Sequence, residues 1–311
     1  MKISSGIVLA SLFTTAVNGF QVHSPSRIVG PSKNSNLALV NSFPSSISIK
    51  DNNLSIRGGS TTLQAATTSS DAQTELDAEA ISKYTIALVT QLSLISGFFY
   101  GIDTILPLVT DGAMTTLPTP VTWLMCYAFS LKSRAFNPLN NARPDRAKAV
   151  KEGTSDGFKD RQQPSWTPPG VVFPIMWLLI IGPLRATSST MIINSMGSYF
   201  SLPLMSLMLH LSCGDIWNTI NNTEKRYGTA VLGIGTVYVS ALHAAYQYYQ
   251  VDPLAGKLLG ATAIWLTIAG TLIFEIWRLN PNANGEKASI LPTKAVGEPS
   301  VTTFAWGAKK E

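Results

Sequence analysis

Charge is scarce in this chain. Only 13% of its 311 residues are Asp, Glu, Lys or Arg, against roughly 25% in an average soluble domain. That composition argues against an ordinary soluble globule. Cysteine is scarcer still: Cys126 and Cys213 are the only two, too few for a disulfide framework or a thiolate metal site. Three histidines, well separated, do not make a His-rich metal centre. There is no Gly-rich phosphate loop, no nucleophilic triad spacing and no metalloprotease pattern. The sequence therefore names no catalytic residue and no metal ligand set. The net charge of +5 is also misleading. Residues 1–70 hold five Lys/Arg and one acid, so the remainder is nearly neutral. Without aromatic-basic interleaving, nucleic acid is not an expected partner.

What the sequence does have begins with an address. Met1-Lys2 precedes a short apolar stretch from Ile7 to Phe13 and a small-residue site at Val17-Asn18-Gly19. That is too short to span a bilayer and reads as a signal peptide over residues 1–19. Residues 20–70 carry twelve serines and four Lys/Arg but one acid, Asp51. Ser-rich, basic and acid-poor is transit-peptide chemistry. With Phe20 at the junction, the pair resembles the two-part plastid address of algae with complex plastids; plain secretion with a linker is the alternative. The remaining divisions are 71–165 (N-terminal helices and a basic loop), 166–280 (the main helical region) and 281–311 (a flexible tail).

Long apolar runs follow. A bilayer core needs about 20 mostly apolar residues as helix, and only helices satisfy the backbone at that length. Residues 84–109, 169–191, 199–218, 229–250 and 254–278 qualify, and 118–131 is short. The expected fold is an all-α polytopic membrane bundle of five helices, with a sixth if both N-terminal segments insert. Lys/Arg alternate between loops. Residues 132–165 hold eight, 192–198 none, 219–228 two, 251–253 none, and the tail after 279 four. That is the positive-inside pattern, and it places the tail on the stromal or cytosolic side.

The string Pro164-Ser165-Trp166-Thr167-Pro168-Pro169-Gly170-Val171-Val172-Phe173-Pro174-Ile175-Met176-Trp177 closely resembles the signature of the translocator protein / tryptophan-rich sensory protein (TspO/MBR) family. Val251-Asp252-Pro253-Leu254-Ala255-Gly256-Lys257-Leu258-Leu259 looks like the start of the family's fifth helix. Trp265, Ala269, Leu272, Trp277, Arg278 and Asn280 follow at family spacing, and Trp217 falls at the third-helix tryptophan. The likeness covers residues 160–280. It also has gaps. The family's Pro-Tyr is Ala261-Thr262 here, its third-helix Asn is Gly214, its paired Phe is Asn221-Asn222, and its Tyr near the second-helix Trp is Ile181. These departures mark a divergent branch.

The resemblance implies a ligand cavity walled by Trp177 and Trp265, with Trp166, Trp217 and Ala269 in the ligand-binding set. Trp166 also suits a membrane interface. Asp215 heads a polar cluster with Asn218, Asn221 and Asn222. As an ionisable group at a span it is a candidate ligand contact or a partner for Arg185. Arg185, inside the third span, could meet a ligand carboxylate or form an internal pair. His210 and His243 read as hydrogen-bonded core residues before they read as metal ligands. Leu272, Phe274 and Arg278 occupy the family's sterol-recognition stretch, but Phe274 replaces its Tyr. Arg278 more simply pairs with Glu275.

The implied function is binding of a hydrophobic ring ligand, a tetrapyrrole such as protoporphyrin IX or haem, for transport, scavenging or sensing. Membrane lipid is a second contact; the resemblance allows a homodimer, though no interface is readable in the sequence. Two alternatives stand beside it. One is light- and oxygen-dependent porphyrin breakdown at Trp177 and Trp265. The other is a structural protein docking a partner or anionic lipid through its basic loop.

Overall fold

The computed structural model describes residues 74–142, 161–281 and 285–305. The signal-like and transit-like segments lie outside the described residues, as does the middle of the basic loop. Six helices make up the described fold, with one small strand pair. Helix α1 spans Ala78–Val109 and α2 spans Thr119–Lys132, followed by a 3₁₀ turn, Ser133–Phe136. Helix α3 runs Val172–Met196, α4 Leu202–Asn218, α5 Tyr227–Val251 and α6 Pro253–Leu279. Four of these, α1, α3, α5 and α6, are long and apolar enough to cross a membrane. The chain is an all-α, multi-pass membrane bundle.

Capping explains where the helices start. Asp77 accepts the Ala80 N–H at 2.9 Å and so opens α1 several residues before the apolar run begins. Asp252 accepts the N–H groups of Leu254 and Ala255 at 2.8 and 3.1 Å. With Pro253 in the first turn, α6 starts after a one-residue joint. The Pro168-Pro169 pair does not lie inside α3. It forms the turn before it, and Pro169 O accepts the Val172 N–H at 2.9 Å.

Helix α1 is peripheral: only 11% of its apolar window is buried. It packs along α4 and is pinned near one end of the bundle by Asp103. That carboxylate accepts the Ser198 hydroxyl at 2.6 Å and the N–H groups of Tyr199 and Phe200 at 2.8 and 2.7 Å. The Tyr199 hydroxyl in turn accepts the Leu117 N–H at 2.8 Å. Phe99 packs between Phe129 and Tyr199, with ring centroids 4.8 and 6.2 Å away.

The opposite end is closed by the tail. Residues 281–311 read as flexible from sequence; within 285–305 the chain is held at several points. Strand β1, Thr74–Leu76, pairs antiparallel with β2, Thr293–Ala295. Asn140 N–H donates to Thr303 O at 2.8 Å and Ala305 N–H to Pro138 O at 2.9 Å. Asp77 is the hub. It is fully buried, forms an ion pair with Arg226 and accepts the Ser300 hydroxyl at 2.8 Å. Glu224 sits 3.3 Å from Arg226 Nε and accepts the Tyr84 hydroxyl. Burial by itself raises the Asp77 carboxyl. Hydrogen bonds from Arg226, Ala80 and Ser300, with the Arg226 charge, outweigh it and hold the group below its ordinary value. At Glu224 burial wins and pushes the carboxyl up, despite the Tyr84 hydrogen bond. The tail's backbone runs so close to α5 that a Cβ on Gly228 would lie 2.1 Å from Ser289 O and 2.4 Å from Ala288 O. Only glycine fits there. Tail packing was hidden from sequence because its anchors are isolated residues far apart in the chain, Asp77 and Ser300 by 223 positions.

Candidate functional site

A cavity of about 700 Å³ opens near the tail end of the bundle. Its aromatic walls are Phe173, Trp177, Trp217 and Trp265, with Ala269, Leu272 and Ile273 from α6. One side is polar, made by Asn218, Asn221 and Asn222, and the segment from Arg161 to Gly170 contributes to the rim. Gln162 and Asn280 tie that segment to the end of α6 by two reciprocal hydrogen bonds of 2.8 Å each.

Two π-helical turns shape the walls. One, Met176–Ile181, carries Trp177; the other, Thr219–Thr223, follows α4 and carries Asn221. Such turns are rare and favour functional sites. The first is braced from α2, where the Tyr127 hydroxyl donates to Leu178 O at 2.8 Å. Trp265 meets Phe173 edge-on, with centroids 5.7 Å apart at 66°. Its indole N–H is buried without a partner. Trp217 donates its indole N–H to Ala230 O at 3.1 Å. The indole lies flat on α5 because residue 233 is glycine; a Cβ there would fall 2.9 Å from Trp217 Cδ1.

The site residues expected from sequence divide clearly. Trp177, Trp217, Trp265, Ala269 and Leu272 line the cavity, as do Asn218, Asn221 and Asn222. Trp166 does not; it is 44% exposed beside the rim. Arg185 is buried behind the wall, 2.6 Å from His210 Nε2, with its guanidinium 5.2 Å from the Trp177 ring centroid. Guanidinium only donates, so His210 Nε2 accepts and Nδ1 carries the proton. Nδ1 lies 3.1 Å from Val237 O. Both ring nitrogens are engaged, which leaves His210 no free position for a metal. Among the described residues no His/Cys/Asp/Glu group could hold a metal ion.

Asp215 is also off the cavity and is not hydrogen-bonded to Arg185. Its Oδ2 accepts Gln91 Nε2 and Ser133 Oγ, both at 2.7 Å. Gln91 comes from α1, and this contact diverts the carboxylate from the expected partner. The sterol-like trio does not converge. Leu272 faces the cavity, Phe274 is 45% exposed and packs on Trp277 at 5.6 Å, and Arg278 pairs with Glu275 at 2.9 Å. Sequence reasoning missed Phe173 and Ile273 as lining residues, although Phe173 sits inside the quoted Trp-x-Pro-Pro string. The Arg185–His210 contact carried no sequence signal, since its members lie 25 residues apart on different helices.

An all-α, multi-pass membrane bundle with a tryptophan-walled cavity defines the class. Residues 145–278 match the TspO/MBR family model, and this region of the chain is similar to that family. Protein CrtK of Rhodobacter capsulatus is 27% identical over 133 residues, covering 42% of this chain and 80% of that protein. The tryptophan-rich sensory protein of Cereibacter sphaeroides is 27% identical over 125 residues, covering 40% and 77%. The human translocator protein is 28% identical over 127 residues, covering 40% and 75%. Helices α1 and α2 and the tail strand lie outside the family match.

Proposed function

We propose that this protein binds a flat hydrophobic ring ligand in the tryptophan-walled cavity, a tetrapyrrole such as protoporphyrin IX or haem, and serves its transport, scavenging or sensing. The observation that carries this reading is the convergence of Trp177, Trp217 and Trp265 on one cavity of about 700 Å³. That size lies within the usual range for small-molecule sites. Indole faces suit extended π systems, and the buried Arg185 cation behind Trp177 adds attraction for an electron-rich or anionic ring. Haem would be held by its faces and edges, because His210 has no free ring nitrogen. The two-part N-terminal address supports a plastid membrane as the host.

The test is a titration of the full chain in detergent with protoporphyrin IX and with haem, followed by tryptophan quenching. Saturable micromolar binding that weakens at least several-fold in Trp177→Phe/Trp265→Phe is expected. An absence of saturable binding, from protein shown to be helical and monodisperse, would overturn the reading.

A further inference from the structure

The π-helical turn that carries Trp177, Met176–Ile181, runs into Gly182-Pro183, and that step leaves one carbonyl without a backbone donor. In an α-helix Leu178 O would accept from the Gly182 N–H. Here that N–H goes to Trp177 O instead. The donor a π-helical turn would offer, five residues on, is residue 183, and proline has no N–H. Proline also opposes the α register, because its ring clashes with the carbonyl four residues back, Leu179 O. Leu178 is 45% exposed on a helix long and apolar enough to span the membrane, and lipid supplies no donor.

Tyr127 of α2 meets the need. Its hydroxyl donates to Leu178 O at 2.8 Å, and its ring is held from two sides. It stacks on Trp123, with centroids 5.1 Å apart at 10°, and Trp123 donates its indole N–H to Thr187 Oγ1 of α3 at 3.0 Å. It also lies close against Gly182, where a Cβ would fall 2.8 Å from Tyr127 Cε2 and 2.9 Å from Trp177 O. Tyr127 is outside the stretch that matches the family model.

We propose that Tyr127 is a positioning residue for Trp177: by giving Leu178 O the donor that Gly182-Pro183 withholds, it holds the π-helical turn in the one register that aims Trp177 into the cavity. The inference rests on the cavity being a ring-ligand site, as argued above. Without the hydroxyl neither register satisfies every carbonyl. The π register orphans Leu178 O, and the α register orphans Leu179 O. The turn is then no longer held in one of them. A change of register by one residue rotates Trp177 by roughly 100° about the helix axis relative to the rest of α3, which takes its indole off the cavity wall.

The test is a pair of double-mutant cycles on the full chain in detergent, with protoporphyrin IX as the probe and its absorbance as the signal. Tyr127→Phe keeps the stacked ring and should weaken binding about fivefold, the equivalent of one hydrogen bond. In that background Trp177→Phe should add about twofold or less, while Trp265→Phe should still weaken binding as it does in the wild type. A structural role alone would lower Tm and leave the share carried by Trp177 unchanged. Pro183→Ala returns an N–H, which serves Leu178 O in the π register or Leu179 O in the α register. In that background Tyr127→Phe should therefore cost about twofold or less. If Tyr127→Phe alone does not fold, the double variant with Pro183→Ala carries the test and should fold as Pro183→Ala does; its failure to fold would overturn the inference. So would an affinity untouched by Tyr127→Phe, or a Trp177→Phe loss that is the same with and without the hydroxyl, either of which leaves the ring-ligand reading intact. If the wild-type protein does not bind protoporphyrin IX or haem, the ring-ligand reading falls and the inference with it.

Discussion

The tightest close approach in the fold gives the sharpest prediction. In Gly228→Ala the new Cβ would sit 2.1 Å from Ser289 O, more than an ångström inside ordinary contact. Both neighbours are backbone atoms, so no side-chain rotation relieves the clash, and the tail must lift. Overpacking of this kind costs about 1–3 kcal/mol. The Trp277 N–H bond to Ala288 O, 2.8 Å long, is then strained or lost, worth about 1 kcal/mol. A loss near 2 kcal/mol raises the open population of the tail roughly thirtyfold. Helix propensity pushes the other way, because Ala is better than Gly in a helix by about 1 kcal/mol. Trypsin cleavage after Lys287 and Lys294, measured in detergent, reads the open population when opening is fast. Gly235→Ala is the control, since its Cβ meets nothing within 4 Å. Equal cleavage of wild type, Gly228→Ala and Gly235→Ala would refute the anchored tail.

Two further outcomes follow from the ends of the bundle. Asp103→Ala removes three charge-assisted hydrogen bonds and should cost about 3 kcal/mol, seen as a lower Tm in detergent and faster amide exchange at Tyr199 and Phe200. An unchanged exchange rate there would count against the contact. The Asp77–Glu224 clamp should show opposed pH dependences. The depressed Asp77 value makes its stabilisation complete above the ordinary carboxyl range near 3.9 and lost as pH falls through the folded value. The raised Glu224 value makes its share present at low pH and lost as pH rises through the folded value. Amide-exchange protection over residues 293–302 should therefore peak at weakly acidic pH, and Asp77→Asn should remove only the acid limb. An acid limb that survives Asp77→Asn would assign it to another group.

The helices were legible because long apolar runs and alternating basic loops are strong, local signals. The cavity tryptophans were legible through one motif string and its spacing. What sequence could not show was direction. Arg185 and Asp215 looked like partners, yet α1 places Gln91 against the carboxylate and α4 places His210 against the guanidinium. The π-helical turns, which aim Trp177 and Asn221, leave no trace in hydropathy. Leu272 and Phe274, two positions apart on one helix, face different ways for the plain reason of helical pitch.

The pairing of β1 with β2 also counts the crossings. Strands on opposite sides of a bilayer cannot pair, so an even number of passes must separate Thr74–Leu76 from Thr293–Ala295. The four helices long and apolar enough to cross already give an even number, so α2 and the 17-residue α4 must both insert or both stay out. Helix α2 with its 3₁₀ extension reaches about 29 Å, close to the hydrocarbon thickness. The strand pair thus acts as a parity check on insertion. A chain in which any one helix fails to insert leaves Asp77 and Ser300 on opposite sides of the membrane, and its clamp can never close.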